Sequence, residues 1–147
     1  IVFDQGLGDL FVIRVAGNIV APSQIGSIEF AVDRFDTRLV VVLGHSNCGA
    51  VIATIDELQQ PQQGQSSNIL SIVNRIKPAV EPLYQTMAHA AEGSLLQAAI
   101  RANILSSTNQ LRHGSPLLEQ LILKGELTVI GAEYSLETGA VEFYESV

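Results

Sequence analysis

The stretch Arg38 to Leu43, RLVVVL, limits the possible folds more than any other part of the chain. Its apolar residues run on without polar alternation, which suits a strand covered on both faces, and such strands belong to sheets sandwiched by helices. Gly44 turns the chain, and from Cys48 onward CGAVIATIDELQQ carries helical apolar spacing. Leu127 to Tyr134, LTVIGAEY, reads as another strand, and VEFYE as a further one, with Glu137-Thr138-Gly139 as the hairpin turn between them. Leu10 to Val15, LFVIRV, is β-branched and aromatic with one polar interruption and also reads as a strand.

Helical patterns separate these runs. Pro22 and Ser23 open one in which Ile25, Ile28, Ala31, Val32 and Phe35 share a face. The stretch NILSIVNRIKPAVEPLYQTMA is expected to be a helix interrupted at Pro78 and Pro82. Others cover Ser94 to Leu111 and Pro116 to Leu123, the latter stopped by Gly125. QQPQQGQSS, from Gln59 to Ser67, is a polar surface loop. Strands alternating with helices predict an α/β fold: a mostly parallel central sheet flanked by helices, with a C-terminal antiparallel edge strand.

At 147 residues the chain is expected to be one domain, 1–147, with a core that is aliphatic because aromatics make up only 5%. A net charge of −7 with eight Lys and Arg argues against nucleic acid and anionic membranes, both of which are held through basic residues. One cysteine cannot form an internal disulfide. No apolar run approaches the roughly 20 residues of a membrane span, so the cytoplasm is the default compartment. The chain opens with Ile1 inside what reads as a structured segment, and the expectation is that it begins within a longer protein.

His45 and Cys48 stand where a buried strand gives way to a helix, the edge at which open α/β sheets bind ligands. An imidazole and a soft thiolate form half of a zinc ligand set, and their spacing lets them converge. The competing readings are a buried structural cysteine beside a packing histidine, or a Cys48 nucleophile with His45 as base. A nucleophile elbow at Ser46 fails because position 48 would have to be glycine. Gly49 offers a backbone N–H to an anionic oxygen at the helix start, or else is required sterically by a tight turn. GLGDLF lacks the third glycine of a dinucleotide fingerprint, and a strand follows it where a helix should. His89 and His113 have no ligand-like neighbours, and His113 suits a cation at a helix C-terminus. Arg14, a charge inside an expected strand, either pairs with a carboxylate across a subunit contact or binds a small anion.

GDLFVIRVAGN, SIEFAV, VVVLGHSNCGAV and GELTVIGAEYSLETGAVEFYE follow one another in an order that resembles the β-class carbonic anhydrases, from about Phe3 to Glu145. The resemblance implies a zinc enzyme that interconverts carbon dioxide and bicarbonate and works as a homodimer or a multiple of dimers. It implies His45 and Cys48 as two of three protein ligands to Zn2+, and Gly49 as an N–H that holds substrate oxygen. Phe11, Ala16 and Phe30 match apolar positions walling the carbon dioxide pocket near a dimer interface; each also has a core-packing reading. The family's Cys-x-Asp-x-Arg motif would lie upstream of Ile1 with a strand and helix of the domain, and none of its three residues is matched here. Its cysteine is a zinc ligand, its aspartate hydrogen-bonds the metal's water or takes that place, and its arginine fixes the aspartate. Two readings of a different kind accompany the enzyme: a catalytically silent homologue serving as an oligomerisation or regulatory module, and a relative that hydrolyses carbonyl sulfide or carbon disulfide.

Overall fold

The computed structural model describes residues 2–61, 64, 66–87 and 93–144. Their order is a 3-10 turn Ala16–Asn18, α1 Pro22–Phe35, β1 Leu39–His45, α2 Gly49–Gln59, α3 Ser67–Met87, α4 Ser94–His113, α5 Pro116–Leu123, β2 Thr128–Tyr134 and β3 Val141–Tyr144. The fold is α/β. β2 is central, pairing parallel with β1 and antiparallel with β3. The β1–β2 register runs from Leu39 opposite Thr128 to His45 opposite Tyr134, so both strands finish at one edge.

α4 packs against β1 and β2 and also against α2, α3 and α5. Its buried stripe is wide and partly polar: Ala99, Ile100, Asn103, Ile104, Ser107, Thr108 and Leu111. The polar members are satisfied. Thr108 Oγ1 donates to the Ile104 carbonyl at 2.8 Å, Asn103 Nδ2 donates to the Gly17 carbonyl at 2.8 Å, and Ser107 Oγ accepts from Asn18 Nδ2 at 3.4 Å. Partnering of this kind removes the penalty that burial of an amide or hydroxyl otherwise carries. Ile104 fills the space left by glycines on both strands, since a Cβ at Gly44 or Gly131 would collide with it.

Helix ends follow local chemistry. Ser115 caps α5 by accepting from Leu118 N at 3.3 Å, and its hydroxyl donates to Glu29 of α1 at 2.5 Å. At the other end Gly125, with φ 71°, donates to the Ile122 carbonyl while Glu126 N donates to the Leu121 carbonyl. These paired bonds close the helix as a Schellman motif.

Three expectations need correction. Leu10 to Val15 forms no strand. The segment is extended at Val15, and Ile13 and Val15 pack on the core, but no described strand lies beside it to complete a ladder. Its β-rich composition describes side chains alone, with Leu10, Phe11 and Val12 exposed, while a strand also needs a backbone partner. β1 is covered less than an unbroken apolar run implies: Val42 and Gly44 are buried, Val41 and Leu43 half-buried and Leu39 exposed. The α/β fold class itself stands: β1 and β2 pair in parallel, and β3 is the C-terminal antiparallel edge strand of a small mixed sheet.

The third correction concerns α3, which runs unbroken through Pro78 and Pro82. Both prolines are exposed, whereas Val73, Ile76 and Val80 form the buried stripe. The carbonyls that the prolines leave without amide donors therefore lie on the solvent side, and core packing holds the helix together across them.

Candidate metal centre

The ladder of β1 continues one bond past its end, as Ser46 N donates to the Tyr134 carbonyl at 3.0 Å. Asn47 then adopts a left-handed φ of 55°, which reverses the chain. Asparagine tolerates that region better than most residues because its short side chain bonds locally. Cys48 follows as the N-cap residue of α2, its carbonyl accepting from Val51 N and Ile52 N at 3.1 and 3.0 Å. Strand end, reversed turn and helix start thus place His45 and Cys48 on either side of a two-residue turn.

His45 is half-buried, and its Nδ1 lies 2.8 Å from the Ser46 carbonyl oxygen. A carbonyl carries no proton, so the proton of this hydrogen bond belongs to Nδ1, and the neutral ring keeps its lone pair on Nε2. An imidazole held through one nitrogen by a backbone carbonyl, with the other nitrogen available, is the form in which histidine ligates metals. Cys48 is a free thiol, 4% exposed, and belongs to the buried apolar cluster. The pair matches zinc in donor type, softness and histidine tautomer, and supplies half of a four-coordinate shell. Among the described residues no group of three or more His, Cys, Asp and Glu gathers.

Gly49 opens α2 with its amide in the first turn, where helix N–H groups lack intrahelical acceptors. The steric reason for a glycine is missing: a Cβ here would meet nothing within 4 Å, and the backbone is not left-handed. Gly17 is the opposite case, with φ 67° and with Ile76 and Ala50 both under 3.0 Å from a Cβ position. That contact docks the Ala16–Asn18 turn on the first turn of α2 and so brings Ala16, itself exposed, into the same neighbourhood.

Phe11 and Phe30 meet each other elsewhere. Their ring centroids are 6.5 Å apart, and Phe35 completes a trio at 5.9 and 5.8 Å. All three are exposed, at 48%, 52% and 63% respectively. Two surface cavities, about 400 and 220 Å³, involve neither this trio nor the His45–Cys48 turn. Arg14 is exposed and has no ion pair among the described residues. His113 ends α4, with Nδ1 3.2 Å from Glu119 Oε1, and His89 lies outside the described residues.

Sequence reasoning missed Glu137. Its carboxylate accepts from Ser46 Oγ at 2.8 Å, Asn47 Nδ2 at 2.8 Å and Ser135 Oγ at 3.1 Å. The hydrogen bond from Ser46, followed by local backbone and Ser135 donors, holds its carboxyl below the usual carboxylate range. The only signal in the sequence was the turn signature around Gly139, and nothing there points to a partner roughly ninety positions away.

Residues 1–141 match the sequence profile of the carbonic anhydrase family. The chain belongs to that family. A carbonic anhydrase of Mycolicibacterium smegmatis is 35% identical over 142 residues, covering 97% of this chain and 66% of the relative. The chain thus spans slightly less than two thirds of that curated carbonic anhydrase. In fold it is similar to the β-carbonic anhydrase CcaA, with a TM-score of 0.84 at 24% identity over 98% of this chain and 71% of the other. A tetrameric β-carbonic anhydrase from Sordaria macrospora gives a TM-score of 0.80 at 20% identity, covering 99% and 73%.

Proposed function

We propose that this carbonic anhydrase-family chain, 1–147, acts as one catalytic domain that interconverts carbon dioxide and bicarbonate with Zn2+. His45 and Cys48 are two of the metal's protein ligands in this reading. The observation that carries it is the Nδ1 hydrogen bond of His45 to the Ser46 carbonyl, which leaves Nε2 as the ligating atom at the end of β1. Family membership and the 35% identical relative support the reaction. Zinc, when bound, supplies a Lewis acid that brings the ionisation of water to about pH 7.

The chain's own groups then have distinct tasks. The Ser46 carbonyl fixes the ring plane of His45 and holds its proton on Nδ1. Cys48 ligates as a thiolate from the start of α2. Gly49 donates its N–H to a substrate oxygen, and the open space where a Cβ would stand supports that approach. Ala16 provides apolar wall for a small, uncharged substrate, and Phe11 and Phe30, which stand apart from the His45–Cys48 turn within one chain, serve that wall across the dimer interface of this proposal.

A homodimer or multiple of dimers completes the proposal. The exposed trio of Phe11, Phe30 and Phe35, next to exposed Leu10 and Val12, supports it, because apolar patches of this kind mark association surfaces. Among the described residues no helix is long and apolar enough to cross a membrane, and the cytoplasm is the working compartment of the proposal.

The deciding experiment is stopped-flow carbon dioxide hydration on the metal-loaded full chain, before and after stripping with dipicolinate. Activity that disappears with the metal, returns with zinc and is absent in His45→Ala is the expected result. A chain that holds no zinc and hydrates nothing is instead the silent module.

A further inference from the structure

We infer that Glu137 is a positioning residue for the metal loop: its carboxylate clamps Ser46 and Asn47 and thereby sets His45 and Cys48 at the separation one shared ion requires. The inference rests on the zinc reading of that pair. Ser46 and Asn47 are the two residues between the candidate ligands, and each gives a side-chain hydrogen bond to a different oxygen of this one carboxylate, both at 2.8 Å. The clamp is itself braced. Leu136 N donates to Ser46 Oγ at 2.9 Å, Ser135 Oγ donates to Glu137 Oε2 at 3.1 Å, and Thr138 N donates to Ser135 Oγ at 3.1 Å.

Geometry explains why such a clamp matters here. Asn47 sits in the left-handed region at φ 55°, which asparagine tolerates at a small cost relative to ordinary backbone, and the bond from its Nδ2 to Glu137 helps to hold it there. If Asn47 relaxes, the turn opens, and Cys48 rotates away from the end of β1 together with the first turn of α2. The β2–β3 hairpin therefore controls a spacing that belongs to the β1–α2 connection. Outer groups that orient metal ligands typically contribute about 10- to 100-fold to metal affinity. Glu137 is exposed, which puts its share at the low end, about 10-fold.

The test compares the full chain with Glu137→Ala and Glu137→Gln, reading zinc affinity by chelator competition and ligand geometry by the cobalt(II) spectrum. Thermal melting of the zinc-free proteins reports any purely structural role. Glu137→Ala is expected to bind zinc about 10-fold more weakly and to shift the cobalt ligand-field and thiolate charge-transfer bands. Glu137→Gln should recover most of both, because its amide oxygen still accepts from Ser46 and Asn47 can turn its own amide to meet the new NH2. Parental affinity and an unaltered cobalt spectrum in Glu137→Ala would overturn the inference. So would an affinity loss that merely follows a lower zinc-free melting temperature with the parental spectrum retained. If Cys48→Ser leaves the cobalt spectrum unchanged, the zinc reading itself fails and takes the clamp with it.

Discussion

The side chain of Ile104 occupies the space into which a Cβ at Gly44 would have to project. Gly44 is the residue immediately before His45, so this contact decides how closely α4 can lie against the end of β1. Gly44→Ala should destabilise by about 1–3 kcal/mol through overpacking, and Ile104→Ala by about 2–5 kcal/mol through the cavity it opens. Together they should cost less than their sum, because the cavity accepts the new methyl; urea unfolding of the cycle measures the coupling. Strict additivity would mean the two positions do not meet.

Asn103 anchors the Ala16–Asn18 turn by donating to the Gly17 carbonyl at 2.8 Å. Asn103→Leu keeps the approximate volume but leaves that carbonyl without its donor, at a cost of about 1–3 kcal/mol in chemical denaturation. The turn docks on α2, so hydration activity should also fall. A stability change within about 0.5 kcal/mol would show that the bond contributes nothing specific.

Tyr144 supplies a pH dependence. Burial first, and then the hydrogen bond from its hydroxyl to Glu133, push its phenol above the ordinary value of 10.0, partly opposed by Arg101 over the ring at 4.4 Å. The folded chain therefore holds this proton more tightly than the unfolded chain does. The resulting stability is whole below pH 10 and drains away as pH rises above it. Tyr144→Phe should flatten the stability profile between about pH 9 and about pH 11, as followed by denaturant midpoints. Equal slopes in both proteins would contradict the shift.

Some of this was legible in the sequence because it is local. The proline and glycine that bracket α5, the hairpin turn at Gly139 and the apolar run of β1 each carry their signal within a few residues. The His45–Cys48 turn was visible for the same reason. What escaped depends on partners. Leu10 to Val15 has strand-like side chains but no described neighbour for its backbone. α3 survives two prolines because its opposite face is buried. Glu137 reads as an ordinary turn residue until the fold brings it to Ser46. α4 was legible as a helix from Ser94 to Leu111, but nothing local showed that its polar residues Asn103, Ser107 and Thr108 face inward and are satisfied there.

Zinc K-edge X-ray absorption on the full chain and on Cys48→Ser addresses the metal directly. Metal analysis should find about one zinc per chain, and the expected spectrum shows sulfur near 2.3 Å and imidazole nitrogen at about 2.0–2.1 Å. Cys48→Ser should lose one sulfur neighbour together with most of its zinc, since a serine hydroxyl stays protonated where a thiolate is needed. A zinc-loaded Cys48→Ser protein with an unchanged sulfur shell would show that the thiol at the start of α2 is only a buried apolar side chain.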